Sequence, residues 1–177
     1  MIKFLKVIGT IITVLAGLSA IIGLFFQISS HRPIIEIKSI TIDKLTDLPT
    51  IDGLKAKFYY KDSIVRSLWK LNYLVTNSGD EIIIGQGDKK NIIKENLTFT
   101  LPSNYKVLDL KISNSAFPFD NEYSLNNFQI HFMQWKSTES FIVTIYAEQL
   151  ADSIPPNLTT DEREIINGSV IYSTLQK

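Results

Sequence analysis

The sequence contains no cysteine, which excludes disulfides, thiolate zinc sites and a cysteine nucleophile. Histidine is nearly absent as well, with only His31 and His131. No H-x-x-x-H, H-E-x-x-H or calcium-loop spacing accompanies them, so no metal site is expected. Neither sign of charge is in excess: 18 Lys and Arg residues balance 18 Asp and Glu residues. Nucleic-acid scaffolds usually carry a basic excess on one face, so no nucleic-acid partner is expected. The nucleophile elbow G-x-S-x-G is missing, and neither histidine is placed to activate a serine. Helical periodicity is also missing after residue 30, apart from a short turn expected at "TTDEREI", where Thr159 or Thr160 would cap an acidic start. These absences point to a chain without catalytic role, metal or cofactor.

The most conspicuous feature present is "VIGTIITVLAGLSAIIGLFF", Val7 to Phe26, twenty residues without a charge. A helix of that length rises about 30 Å, the thickness of the hydrocarbon core of a bilayer. A cleaved signal would need a shorter apolar run ending at a small-x-small site. Here the run continues past Ala20 to Phe26, and a cut after Ala20 leaves Leu18 at the minus-three position. The expected organisation is a transmembrane helix over residues 1–28, a juxtamembrane link over 29–33, and a β-domain over 34–177. The bilayer of a bacterial cell membrane is then one partner. Lys3 and Lys6 before the helix, and Arg32, Lys38 and Lys44 after it, do not decide which side carries the β-domain. Small residues recur along the helix: Gly9, Thr13 and Gly17, then Ala16, Ala20 and Gly23. Such a band lets two helices approach closely in lipid, although Gly and Ala are common in membrane spans in any case.

Beyond Pro33, which disfavours helix at Arg32, the hydrophobic period is two. Ile35 and Ile37 alternate with Glu36 and Lys38 in "IIEIKSITI". Trp69, Leu71, Tyr73 and Val75 share one face of "SLWKLNYLVTN", with Trp69 expected in the core. Leu108, Leu110 and Ile112 alternate with Asp109 and Lys111. Phe128, Ile130 and Phe132 alternate with Gln129 and His131, which places His131 on the wet face. Phe141, Val143, Ile145 and Ala147 share a face of "SFIVTIYAE". "ENLTFTL" and "GSVIYST" are shorter runs of the same kind. Turn residues separate the runs, as at Asn77-Ser78-Gly79-Asp80 and Asn167-Gly168. Clean alternation over seven to nine short strands implies an all-β domain of antiparallel sheets with one wet face. An antiparallel β-sandwich is expected, with a small barrel as the alternative. "PTIDG" (Pro49 to Gly53) and "AFPFDNEY" (Ala116 to Tyr123) read as loops.

Three carboxylate groups, Asp43/Asp47/Asp52, Asp120/Glu122 and Asp161/Glu162/Glu164, lack the ordered spacing of a calcium loop and read as solvated. "GQGDKKN", Gly85 to Asn91, lacks the spacing of a phosphate-binding loop and reads as a surface turn. Its Lys89 and Lys90 are candidate contacts to a phosphate or a partner. The N-x-S/T triplets at Asn96, Asn157 and Asn167 are no more than chance in so Asn-rich a chain.

The order of the segments "YKDSIVRSLWKLNYLVTNSG", "ENLTFTLP", "KVLDLKI", "WKSTESFIVTIYAE" and "INGSVIY" after one span resembles a group of bacterial single-pass membrane proteins carrying one immunoglobulin-like β-sandwich. The departures are "STES", where the similar proteins favour Pro-Gly, and "KDS" at the first turn. The resemblance implies a non-catalytic, membrane-anchored sandwich that binds a protein partner or ligand. It carries no catalytic residue over to this chain. The alternative is a membrane-perturbing effector of a bacterial defence system, self-associating through its helix when the β-domain senses a signal. Under that alternative, Gly17→Ile abolishes oligomerisation and any toxicity on expression. An unchanged oligomer size by cross-linking in membranes counts against it.

Overall fold

The structure is a computed structural model that describes residues 17, 19, 32–47, 56–151 and 155–174. The chain divides into two units, Met1–Arg32 and Pro33–Lys177. Of the predicted span only Gly17 and Ser19 are described, and both are helical. Gly9, Thr13, Ala16, Ala20 and Gly23 lie outside the described residues, as do Asp52 and the "PTIDG" segment. Among the described residues no helix is long and apolar enough to cross a membrane. A Cβ added at Gly17 meets no atom within 4 Å outside its own helical turn.

The second unit is all-β. Its strands are β1 (Ile34–Lys44), β2 (Phe58–Tyr60), β3 (Ser63–Val65), β4 (Leu68–Asn77), β5 (Ile83–Ile84), β6 (Leu97–Thr100) and β7 (Tyr105–Ser113). They continue with β8 (Phe119–Ser124), β9 (Asn127–Phe132), β10 (Gln134–Trp135), β11 (Ser140–Gln149), β12 (Thr159–Thr160) and β13 (Ser169–Thr174). Five strands form one sheet in the order β13-β1-β4-β11-β7, and four form another in the order β12-β6-β9-β8. The ribbons β2-β3 and β5-β10 complete the set. Every pairing is antiparallel except that of β1 with β13, which is parallel and runs from Ile34↔Ser169 to Ser39↔Thr174. The expectation of purely antiparallel sheets is corrected there, because the first and last strands of the unit lie side by side.

All seven segments with alternating side chains are strands. On β4 and β11 the alternation is complete: Leu71, Tyr73, Val75, Phe141, Val143, Ile145 and Ala147 are buried, and the residues between them are half-buried. Leu97, Phe99, Phe128, Ile130 and Phe132 of the four-stranded sheet join them in one core. Phe99 stacks on Phe128 at 4.9 Å and meets Phe141 of the other sheet edge-on at 6.3 Å. Trp135, fully buried, stacks on Phe117 at 5.1 Å and lies 5.6 Å from Phe141.

Several expectations change. Register shifts at Ile40 in β1 and at Leu108 in β7 insert one extra residue in each strand. A bulge moves later side chains to the opposite parity, so Tyr105 and Val107 are buried before it while Leu110 and Ile112 pack on the core after it. Leu108 itself does not join the core cluster. Trp69 is half-buried at the core margin, its Nε1 donating to Gln149 Oε1 at 3.0 Å, and Trp135 takes the central place. Most of "AFPFDNEY" is strand β8 and not loop. The turn at "TTDEREI" is a single 3-10 turn, Glu162–Glu164, capped by Asp161, whose Oδ1 accepts from the Arg163 amide at 2.9 Å. Thr159 and Thr160 form β12 instead.

One buried polar side chain joins the pieces at the Pro33 end. Asn77 is wholly enclosed. Its Nδ2 donates to Glu81 O at 2.8 Å and to Trp135 O at 3.1 Å, while Oδ1 accepts from the Gly79 amide at 3.3 Å. Its backbone amide donates to Glu139 O, and its carbonyl accepts from the Thr138 amide. On the outer face of the five-stranded sheet, the hairpin β2-β3 is attached through Tyr60, which stacks on Tyr146 at 6.1 Å and donates to Asp109 Oδ2 at 2.7 Å. That hydrogen bond holds the Asp109 carboxyl below its ordinary value, and burial with the adjacent carboxylate pushes the Tyr60 hydroxyl up.

Two stability predictions follow from these contacts. Asn77→Leu removes the side-chain hydrogen bonds to the Glu81 and Trp135 carbonyls and to the Gly79 amide, which keeps only its 3.4 Å bond to Ile34 O, and lowers unfolding stability by about 2 kcal/mol in chemical denaturation. A loss under about 1 kcal/mol would show that water reaches these groups. Tyr60→Phe costs about 1 kcal/mol at neutral pH. Because Asp109 has a depressed folded pKa, its contribution is present above the unfolded carboxylate pKa and is lost as pH falls through the folded one. The difference in denaturation midpoint between wild type and Tyr60→Phe therefore narrows in acid.

Candidate functional site

A surface cleft of about 440 Å³ opens between the edges of the two sheets, where β13 and the approach to β12 diverge. Ile37 and Ser39 contribute from β1, before its bulge, and Tyr73 from β4. Asn157, Leu158 and Thr159 form one wall, and Tyr172, Ser173 and Thr174 the other. Ile37, Tyr73 and Leu158 are buried and make an apolar floor. The Tyr73 hydroxyl donates to Pro156 O at 2.7 Å and accepts from the Leu158 amide at 3.3 Å, which fixes the wall to the floor. Burial pushes this hydroxyl up to about 12, so it stays neutral at physiological pH. Tyr172 closes one side, its hydroxyl accepting from the Thr160 amide at 3.2 Å and donating to Thr160 O at 3.1 Å. Ser173 Oγ donates to Glu36 Oε1 at 2.7 Å.

The chemistry of this lining is narrow. Hydroxyls, one amide side chain and aliphatic carbon surround the space, with no carboxylate, imidazole or cation in the wall among the described residues. It suits an uncharged group with an apolar body and a polar margin, the usual character of a ligand-binding cleft. A second depression of about 380 Å³ lies at the Lys44 end of β1, lined by Lys44, Thr46, Arg66, Ser67, Gln149, Leu150 and Ala151. Its polar atoms are largely engaged in holding the fold. Gln149 Oε1 accepts from Trp69 Nε1 and Ser67 Oγ, Thr46 Oγ1 accepts from the Leu68 amide, and Lys44 faces Asp47 at 3.6 Å.

The sequence candidates are scattered relative to the cleft. Lys89 and Lys90 are exposed on the turn between β5 and β6. That turn is preformed: Lys90 N donates to Gly87 O at 3.2 Å, and Asn91 Oδ1 accepts from the Ile84 amide at 2.6 Å. Gly85 is required at its base, since a Cβ there would collide with the Phe132 carbonyl oxygen. Asp43 and Asp47 are exposed, and so are Asp120 and Glu122, with His131 Nε2 3.4 Å from Glu122 Oε1. Glu164 is buried, its carboxylate accepting from the Thr98 amide at 3.0 Å and from Lys94 Nζ at 3.2 Å. This is a structural clamp, which the reading of "DERE" as solvated missed. Among the described residues no group of three or more His, Asp or Glu side chains could hold a metal ion. The cleft residues escaped the sequence reading because they come from four distant segments. Only the alternation that turns Ile37 and Tyr73 inward hinted at them.

Comparison with known proteins adds no further candidate: no protein-family model matches the chain, and no curated protein matches it.

Proposed function

We propose that this chain is a single-pass membrane protein of a bacterial cell, whose β-domain is an immunoglobulin-like β-sandwich acting as a non-catalytic binding module for a protein partner or ligand. The strand order supports the sandwich. Lettering β1, β4, β6, β7, β11, β12 and β13 as A to G puts A, B, E and D side by side in one sheet and C beside F in the other, as in immunoglobulin domains. G departs from that scheme by pairing with A, and the β8-β9 hairpin is an addition beside C. The uncharged run from Val7 to Phe26 supports the anchor.

The observation that carries the binding role is the cleft between β13 and β12, with its apolar floor and hydroxyl-rich rim. Its volume of about 440 Å³ suits a small ligand or one or two large side chains projecting from a partner. Ser39 lines it without being fully buried, so a larger side chain there fills the space from the β1 side.

A photo-cross-linking amino acid placed at Asn157, on the exposed rim, tests this reading in native membranes. A discrete adduct is expected, and Ser39→Trp is expected to reduce its yield roughly tenfold while leaving the thermal midpoint within a few degrees. An adduct of unchanged yield in Ser39→Trp, or none in the wild type, would remove the cleft from consideration.

A further inference from the structure

The Pro33 end of the β-domain carries a cluster of exposed isoleucines. Ile92 and Ile165 form an isolated antiparallel bridge and are both buried. The residues that follow them, Ile93 and Ile166, therefore face outward, 59% and 48% exposed. Asn91 ties a third to the same patch: its Nδ2 donates to Ile82 O at 2.8 Å, and its carbonyl accepts from the Ile166 amide at 2.8 Å. Ile82 is 42% exposed. The Ser169 amide donates to Pro33 O at 3.1 Å, and the Ser78 amide to Ile34 O at 2.8 Å, so Ile166 lies three residues before, and Ile82 four residues after, a residue bonded to the start of the described β-domain.

We propose that this end of the domain docks on the lipid surface, inserting Ile82, Ile93 and Ile166 into the interfacial layer. The inference rests on the reading of residues 1–28 as a membrane anchor. The five residues Ser29 to Pro33 span at most about 18 Å even when fully extended. The patch is then held at the bilayer surface at high effective concentration, and three side chains that would bind lipid weakly on a free protein suffice. Charge does not drive the contact. Between Asp80 and Glu95 four acidic residues oppose the three lysines Lys89, Lys90 and Lys94, which is no polybasic patch. The attraction is apolar and insensitive to salt, with Lys89 and Lys90 extending from the same turn into the headgroup layer.

The absence of cysteine makes the test direct. Full-length Ile93→Cys, labelled with an environment-sensitive fluorophore, is reconstituted in phosphatidylcholine vesicles containing a nitroxide lipid. Leu125→Cys, on the 73%-exposed turn of the β8-β9 hairpin at the opposite end, serves as control. Quenching at position 93 is expected to exceed that at 125 several-fold and to persist in high salt. Water-like emission at 93 with the protein still resistant to carbonate extraction overturns the docking alone. Loss of the protein to the carbonate wash overturns the anchor and the docking together. Quenching that vanishes in salt overturns apolar insertion, and protection of position 93 only in native membranes assigns the patch to a protein partner instead.

Discussion

An amide in an aromatic core must find partners for every donor and acceptor it carries, and Asn77 meets that demand in a way that organises the Pro33 end of the fold. Leaving such groups unpaired costs more than making the bonds gains. The side chain therefore dictates where Glu81, Gly79 and Trp135 place their backbones. Its own backbone ties the end of β4 to the turn that starts β11. The register of β4 against β1 and β11 follows from that anchorage, with Ile35 opposite Asn77 and Ser140 opposite Thr76. A slip of one residue would turn Leu71, Tyr73 and Val75 toward solvent. Trp135 is held in turn, its Nε1 donating to Glu139 O at 2.7 Å, and its ring supports Phe117 and Phe141. One polar residue thus sets the geometry on which the aromatic core is built.

The sequence was informative wherever one rule acted alone. Seven runs of alternating side chains became seven strands because burial of one face leaves a period of two with little ambiguity. It was silent where tertiary contacts override local preference. The β8-β9 hairpin has no glycine at its turn: Leu125 takes a positive φ of 48°, a conformation that sequence reading reserves for Gly or Asn. Strand β8 is exposed along most of its length, so it leaves no hydrophobic alternation to find. The bulges at Ile40 and Leu108 interrupt alternation that otherwise looks continuous. For the candidate sites the division is similar. Lys89 and Lys90 were legible as exposed turn residues from "GQGDKK" alone. The cleft was not, since Ile37, Tyr73, Leu158 and Tyr172 meet only through the pairing of β1 with β13 and the path of residues 155–160.

That parallel pairing explains why a cleft exists at all. Strands β12 and β13 follow one another in the chain with only a 3-10 turn and a short loop between them. Had β13 continued beside β12, the four-stranded sheet would have gained a fifth strand and covered Tyr73 and Leu158. By pairing with β1 it joins the opposite sheet instead, and the two consecutive strands part company across the core. Tyr172 bridges the gap at one point, through its hydroxyl to Thr160, and the remainder stays open. Among the described residues the outer edge of β13 is also unpaired, a feature that folded proteins either cover or use for recognition. The cleft and the free edge therefore have one cause, the choice of β1 over β12 as the partner of the last strand.

The same choice fixes where the cleft lies relative to the start of the β-domain. Parallel pairing makes β13 run in the direction of β1, so Ser169 lies at the Pro33 end and Thr174 lies further along, beside Ser39. The cleft takes its residues from the later half of that pairing, Ile37 to Ser39 and Tyr172 to Thr174. It is thereby displaced from the Pro33 end by several residues at about 3.3 Å each. An antiparallel last strand would have brought its final residues back to Pro33 and put the cleft beside the isoleucine patch. With the observed direction, the Pro33 end can contact lipid while the cleft opens on the flank. The proposed anchoring and the proposed recognition then make no competing demand on the same surface.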